Sequence, residues 1–450
     1  MKIFFFILGK DWEISLAEIS NFFETEDFKG EIIDHSKNCA IVRFKSDITL
    51  QQMQYFQEIL GGILKIGFIS GDLPKTSLLK SFPFKLKDMD IANEHRNIIM
   101  QEIREKFLPD LIKEKLEDFF FAVSIYPTLF SEPEINLSKS YVFFNKFLKR
   151  EIESIYKIKT NYFRYPEKNV KSGEINPIWP HNVHNYSLLS KSAAEIVIIL
   201  TKNNSYLGRT ITADNPNLRK MIDEKRPKSS FSISTPPKLS KILINLAIQN
   251  ENKKILDCFC GSGTILMMAL TRNLPFIGTD INKQMVGKAR ENIDWLSNTL
   301  KIQINDVEKK IFQLDANDLS KFFQPNSINA IVTEPYLGPI FKNNPTVEEC
   351  EEIIRMRLIP LYKAVFKEFE SILIKGGRIV ITTPVFLLKN DKEYDLRLDV
   401  LLDKNKFKLI KLLPRQVFSN YRLKDVDKNY VVIRKRKKYV FRKINVIEKI

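Results

Sequence analysis

Residues 255–264 read ILDCFCGSGT. An apolar run ends at an acid, and two glycines one residue apart lead into the helical stretch that follows. A strand, a glycine turn and a helix in that order belong to a parallel α/β layer, so these ten residues restrict the C-terminal half more than any others. Gly261 and Gly263 let the backbone come close to a ligand, and a helix start offers unpaired N–H groups to a carboxylate or phosphate. The spacing is neither GxGxxG nor GxxxxGK[ST], which weighs against a dinucleotide site and a P-loop.

The pattern around this junction repeats its logic. From Lys238 onward strands and helices alternate: KLSKILINLA as a helix, KKILDCF, PFIGTDI, SINAIVTE and GGRIVITT as strands, and a helix over 348–372. KFKLIKLL and YVVIRKRK read as a closing pair of strands. This predicts a doubly wound sheet, which binds ligands outside the carboxyl ends of its strands. Three acidic residues fall at such ends. Asp280 in GTDIN can accept hydrogen bonds from both ribose hydroxyls, and Asp315 in LDAND can accept one from the exocyclic amine of adenine. Each Asp alone is more often a helix cap or turn residue. With the glycine loop they sketch a pocket for an adenosyl group with a carboxylated tail, and S-adenosylmethionine has those parts.

The third acid lies in TEPYLGP, residues 333–339, at the fourth strand end. A nucleobase amine is a poor nucleophile because its lone pair is delocalised into the ring. Acceptors for its hydrogens and an aromatic face for the base assist methyl transfer, and alignment supplies most of the rest. Glu334, Pro335 and Tyr336 provide these parts. The alternative is a buried turn, although a Glu at a buried strand end is costly without a purpose.

The first half has a different rhythm. KIFFFILG, ISLAEISNFF, EIID, CAIVRF, TLQQMQYFQEIL and GILKIGFIS give strand, helix, strand, strand, helix, strand. That is the order of a ferredoxin-like unit. The apolar run after Lys2 is short and charge follows at once, so it reads as a strand rather than a signal peptide. A second α/β segment follows, with a basic amphipathic helix in SKSYVFFNKFLKREIESI and a hairpin turning at Asn203 and Asn204. Residues 214–237 are rich in Pro, Ser and Lys and suit a linker.

A formal charge of +17 favours a polyanionic partner, although Lys-rich codon bias produces the same excess. The four Cys form no CxxC pair and read as reduced thiols of a cytoplasmic protein. His181 and His184 in HNVH lack the companions a metal site needs and read as plain loop residues, so no metal is expected. No apolar stretch approaches a membrane span.

DCFCGSGT, GTDIN, LDAND and TEPYLGP together resemble the amino-methyltransferases of the class I fold. YLGRTITAD, then KRPKSSFSISTPPKLSKILINLA, then ILDCFCGSGT, is similar to the THUMP-domain tRNA (guanine-10, N2) methyltransferase family. The resemblance covers nearly the whole chain and is most specific in the catalytic half. It implies a ferredoxin-like α+β unit over 1–75, a THUMP-like α/β RNA-binding domain over 76–213, a linker over 214–237 and a Rossmann-like methyltransferase domain over 238–450. It implies S-adenosylmethionine held by Asp257, Cys260, Gly261, Ser262, Gly263, Thr264, Asp280, Ile281, Asp315 and Ala316, with Glu334, Pro335 and Tyr336 catalytic. The implied substrate is guanine N2 in tRNA, acted on in the cytoplasm by a monomer, with or without a small activating protein. Two positions depart from the family's pattern. Cys258 stands where Pro is usual, and Glu334-Pro335-Tyr336-Leu337 replaces Asp-Pro-Pro-Tyr. Two other readings compete: a DNA adenine or cytosine amino-methyltransferase, and a non-catalytic RNA-binding protein with a vestigial cofactor fold.

Overall fold

The apolar runs of the first 213 residues form one eight-stranded sheet in the computed structural model, which describes residues 2–24, 28–85, 88–128, 134–172, 175–228, 235–248, 253–418, 426–435 and 438–450. The strands are β1 (Ile3–Leu8), β2 (Gly30–His35), β3 (Cys39–Phe44), β4 (Ile63–Leu73), β5 (Asp118–Tyr126), β6 (Lys159–Tyr162), β7 (Ala193–Leu200) and β8 (Ser205–Ala213). Their order is β2-β3-β1-β4-β8-β7-β5-β6. The expected hairpin is β7–β8, with Leu200 opposite Ser205. Every residue of β7 is buried, including Glu195, which accepts hydrogen bonds from Ser124, Thr210 and Lys65. A buried carboxylate is tolerable when its lone pairs are filled in this way. His181 and His184 stand on a short helix, Pro180–Asn185, rather than in a loop. The segment expected as a linker holds a helix, Pro216–Lys225.

The second sheet has nine strands: β9 (Ile255–Asp257), β10 (Phe276–Asp280), β11 (Ile311–Gln313), β12 (Ile328–Thr333), β13 (Leu373–Leu387), β14 (Glu393–Asp395), β15 (Phe407–Leu409), β16 (Tyr430–Ile433) and β17 (Val440–Lys449). Its main path is β11-β10-β9-β12-β13-β17-β15. The five strands from β11 to β13 are parallel, and β17 enters antiparallel to β13. The doubly wound α/β class is therefore as expected. The chain order reverses between β9 and β12, which is the switch point where such sheets bind ligands.

The closing strands need a correction. β15 and β16 do not pair with each other; both pair with β17, a ten-residue strand that the apolar pattern missed. The helix expected over 348–372 is also not uniform. A Thr346–Glu349 capping box starts Val347–Ile353, a π-helical stretch covers Ile354–Leu358, and Ile359–Ile372 completes it. Pro360 lacks the N–H that an unbroken α-helix would use there.

Two compact units emerge from the packing. The first comprises Met1–Trp12, Glu26–Glu58 and Ile63–Pro216; the second comprises Glu13–Thr25, Ile59–Gly62 and Asn217–Ile450. Most of the helix Trp12–Phe23 thus belongs to the second unit. Its Glu18 is fully buried and accepts from the amides of Gly61 and Gly62, both at 2.8 Å, and from Asn245 Nδ2 at 2.6 Å. Asn245 lies on the helix Pro237–Ala247, and its Oδ1 accepts from Arg272 at 2.5 Å. Gly62 has no room for a side chain, because a Cβ there would lie 2.4 Å from Ser15 Oγ.

Candidate active site

The loop after β9 is held at both ends. Cys260 N donates to Thr279 O at 3.0 Å, and Gly263 N donates to Cys260 O at 2.8 Å. The turn needs left-handed backbone at Gly261 (φ 51°) and Gly263 (φ 83°). A Cβ on Gly261 would meet nothing within 4 Å, whereas one on Gly263 would lie 3.1 Å from Ala289 Cβ. Glycine at 261 leaves one face of the backbone open, and glycine at 263 lets the helix Lys283–Leu300 approach. Asn292 on that helix donates to Ser262 O at 2.9 Å and Lys228 O at 2.8 Å. Arg226 Nη1 donates to Thr264 Oγ1 at 3.0 Å. Residues 226–228 are therefore pinned against the glycine loop.

A cavity of about 620 Å³ opens beside this loop. It falls within the usual range for small-molecule sites. Its wall includes Asp257, Cys260, Gly261, Ser262 and Thr264 together with Glu334, Pro335 and Tyr336. Gly263, Asp280, Ile281, Asp315 and Ala316 lie outside this lining. Asp280 Oδ2 accepts from Gly261 N at 2.9 Å and Oδ1 from Asn282 N at 2.9 Å, so its carboxylate props the loop. Asp315 caps a short 3-10 turn through Asn317 N at 2.9 Å. Ala316 is buried, and Ile281 exposes 62% of its surface.

Asp257 is the most perturbed acid here. Burial pushes its carboxyl up to about 7, against the pull of bonds from the Thr333 hydroxyl and the Phe259 amide; the charges of Asp280 and Glu334 add to the rise. Burial also drives the Cys258 and Cys260 thiols well above their ordinary range, so neither is a ready thiolate nucleophile.

Glu334 follows β12 directly, with its side chain 9% exposed. Its partner was not foreseen. Arg442 on β17 forms a two-pronged ion pair with it, Nε to Oε2 at 2.7 Å and Nη2 to Oε1 at 2.8 Å. Since β13 runs between β12 and β17, the guanidinium reaches across a whole strand. Burial works against the Arg442 charge, yet the bonds and attraction of Glu334 hold its proton affinity above the usual arginine range. Pro335 is buried, while Tyr336 is 43% exposed at the cavity. Gly338 (φ 106°) ends the motif, where a Cβ would lie 3.1 Å from the Phe386 ring. Phe259, Phe341 and Tyr439 add rings to the wall, and Lys435 and Lys438 add positive charge. No group of His, Cys, Asp and Glu among the described residues could hold a metal ion.

A family described as "Methyltransferase domain" matches residues 249–428, which contain the glycine loop and the Glu334 motif. This match lies within the second unit. A family described as "DNA methylase" matches residues 70–291, ending before β11. The chain is also homologous, at modest identity, to proteins named tRNA (guanine(10)-N2)-dimethyltransferase and tRNA (guanine(10)-N(2))-methyltransferase. The Methanothermobacter thermautotrophicus dimethyltransferase is 31% identical over 34% of this chain and 40% of its own length. That of Methanocaldococcus jannaschii is 25% identical over 65% and 78%. The methyltransferase of Rattus norvegicus is 25% identical over 68% and 71%. The match thus spans less than half of the first relative and about three quarters of the other two. The crystal structure of TrmN from Thermus thermophilus aligns over 100% of both chains at a TM-score of 0.48 and 16% identity.

Proposed function

We propose that this methyltransferase adds methyl groups to an exocyclic base amine of RNA, and specifically to guanine N2 in tRNA, in the cytoplasm. The observation that carries the reading is that one cavity is lined by both the glycine loop and Glu334, Pro335 and Tyr336. The relatives named for tRNA guanine methylation supply the substrate.

The cavity fits S-adenosylmethionine in size, and the open face of Gly261 gives close backbone access. Asp257 offers a carboxyl to a cationic amino-acid end. Asp280, beside the loop, is assigned to the ribose hydroxyls, since each of its oxygens retains a second lone pair. Asp315, Ile281 and Ala316 are assigned to the adenine end. The cofactor supplies an electrophilic methyl group on a sulfonium. Glu334 accepts a hydrogen from the target amine and offsets the positive charge that grows on nitrogen. Pro335 stiffens the backbone behind it, and the exposed Tyr336 ring holds the base by stacking. The target nucleotide leaves its stack to enter.

The first unit is assigned to tRNA, with its 76–213 segment in the THUMP role. Its helix Leu137–Tyr156 buries an apolar stripe and exposes Lys139, Lys146 and Arg150. Phosphate contacts of this kind weaken steeply with salt. No helix among the described residues is long and apolar enough to cross a membrane.

The test is methyl transfer from labelled S-adenosylmethionine to total tRNA, ribosomal RNA and DNA in parallel, with nucleoside analysis. N2-methylated guanosine in tRNA is the expected product. The DNA methylase match favours a second reading, and label in DNA alone would establish it in place of the first.

A further inference from the structure

The Glu334–Arg442 pair goes beyond the parts that methyl transfer requires. A lone carboxylate would suffice to accept an amine hydrogen, yet this one is forked by a guanidinium from the far side of β13. Glu has one more rotatable bond than the Asp of the related motif, so an untethered Glu334 would sample several positions in the cavity. The fork removes that freedom, because Nε and Nη2 fix the plane of the carboxylate as well as its distance.

The pair also outlasts substrate entry. Breaking a buried ion pair by withdrawing one partner costs more than a single amine hydrogen bond returns. An incoming base therefore binds beside Arg442 instead of displacing it. Each carboxylate oxygen accepts one bond from the fork and retains a lone pair for the amine. Asp257 at the end of β9 and Tyr362 on the helix Ile359–Ile372 both feel the Glu334 charge. Neither supplies a positive charge; Lys435 and Lys438 line the same cavity, but it is Arg442 that bonds both Glu334 oxygens.

We infer that Arg442 is a positioning residue for methyl transfer: it holds the Glu334 carboxylate in one orientation at the cavity wall and stays paired with it through turnover. The inference rests on the amine-methylating role proposed above for Glu334. Arg442 acts only through Glu334, which makes the two substitutions interdependent.

The experiment is a double-substitution cycle in single-turnover tRNA methylation with saturating S-adenosylmethionine, using the full chain. Arg442→Met should slow the step by roughly 10- to 1,000-fold, within the range a positioned acid–base group contributes. Arg442→Lys, which keeps the charge without the fork, should recover part of that loss. In a Glu334→Gln background Arg442→Met should add less than about threefold, since coupled residues are not additive. Cofactor and tRNA affinities should stay within about threefold of wild type in each single variant, as expected of groups that act mainly in the transition state. Cofactor titration certifies the fold, and Arg442→Lys carries the test if Arg442→Met does not fold. An equal loss from Arg442→Met in the wild-type and Glu334→Gln backgrounds would overturn the inference, as would a folded Arg442→Met or Arg442→Lys variant at the wild-type rate. Wild-type protein that binds cofactor but methylates no nucleic acid would instead overturn the enzymatic reading, and the Arg442 role with it.

Discussion

Replacing Asp257 with Asn removes an ionisable group from the cavity wall while keeping its size. In the wild-type protein burial lifts this carboxyl from the ordinary 3.8 to about 7, so the folded chain keeps a proton that the unfolded chain releases. That difference is worth about 4 kcal/mol, at 1.36 kcal/mol per pKa unit. The cost falls on the folded state as pH rises: stability contributed by protonated Asp257 is present below about 4 and is lost as pH climbs to about 7. Asn carries no such penalty, so Asp257→Asn should gain on wild type across that window. Cofactor binding reports the same proton. A cationic ligand beside the carboxyl favours its ionised form, so at pH 6 binding should release about 0.9 proton, the fraction still bound one unit below 7. Affinity should rise about tenfold per pH unit well below 7 and flatten above it. Calorimetry of S-adenosylmethionine binding in buffers of different ionisation enthalpy measures both quantities. Asp257→Asn should bind with no proton release and little pH dependence. If wild type shows flat affinity and no released proton between pH 5.5 and 7.5, Asp257 does not face the cationic end of the cofactor.

Three other substitutions probe separate parts. Gly263→Ala forces a side chain onto φ 83° with Ala289 Cβ 3.1 Å away, and should weaken cofactor binding and stability by about 1–3 kcal/mol, read by titration and thermal melting. Tyr336→Ala should cost about 1–3 kcal/mol of base stacking, raising the KM for tRNA while S-adenosylmethionine affinity holds. Glu18→Ala leaves the Gly61 and Gly62 amides without their acceptor and Asn245 Nδ2 with only Ile59 O; the loss should be about 3 kcal/mol, measured as earlier urea unfolding followed by cofactor release.

The strands and the loop that frame the cavity were legible because their signals are local. Short apolar runs, glycines one residue apart and acids at strand ends all lie within a few residues of one another. β17 was not legible for the opposite reason. Arg442, Lys443 and Asn445 interrupt its apolar residues, and polar groups at such positions read as surface. Arg442 is half-buried and Lys443 and Asn445 are buried, because Glu334 and Asp395 neutralise the first two and Thr383 accepts from the third. Those partners lie 108, 48 and 62 residues away in sequence, and no periodicity carries that information. The same limit hid the partner of Glu334, although the acid itself stood out. Asp315 shows a further ambiguity: the sequence offered a ligand or a cap, and the fold displays the cap.

The placement of the helix Trp12–Phe23 sets an order of events at the ribosome. Glu18 is translated early, but Asn245, which helps to satisfy it, follows 227 residues later. At about 5–20 residues per second the helix waits on the order of 10–45 s for that partner. Ile14, Leu16, Ile19, Phe22 and Phe23 on the same helix are all buried in the finished fold. The second unit therefore completes only when one of the earliest-made segments of the chain is gathered in.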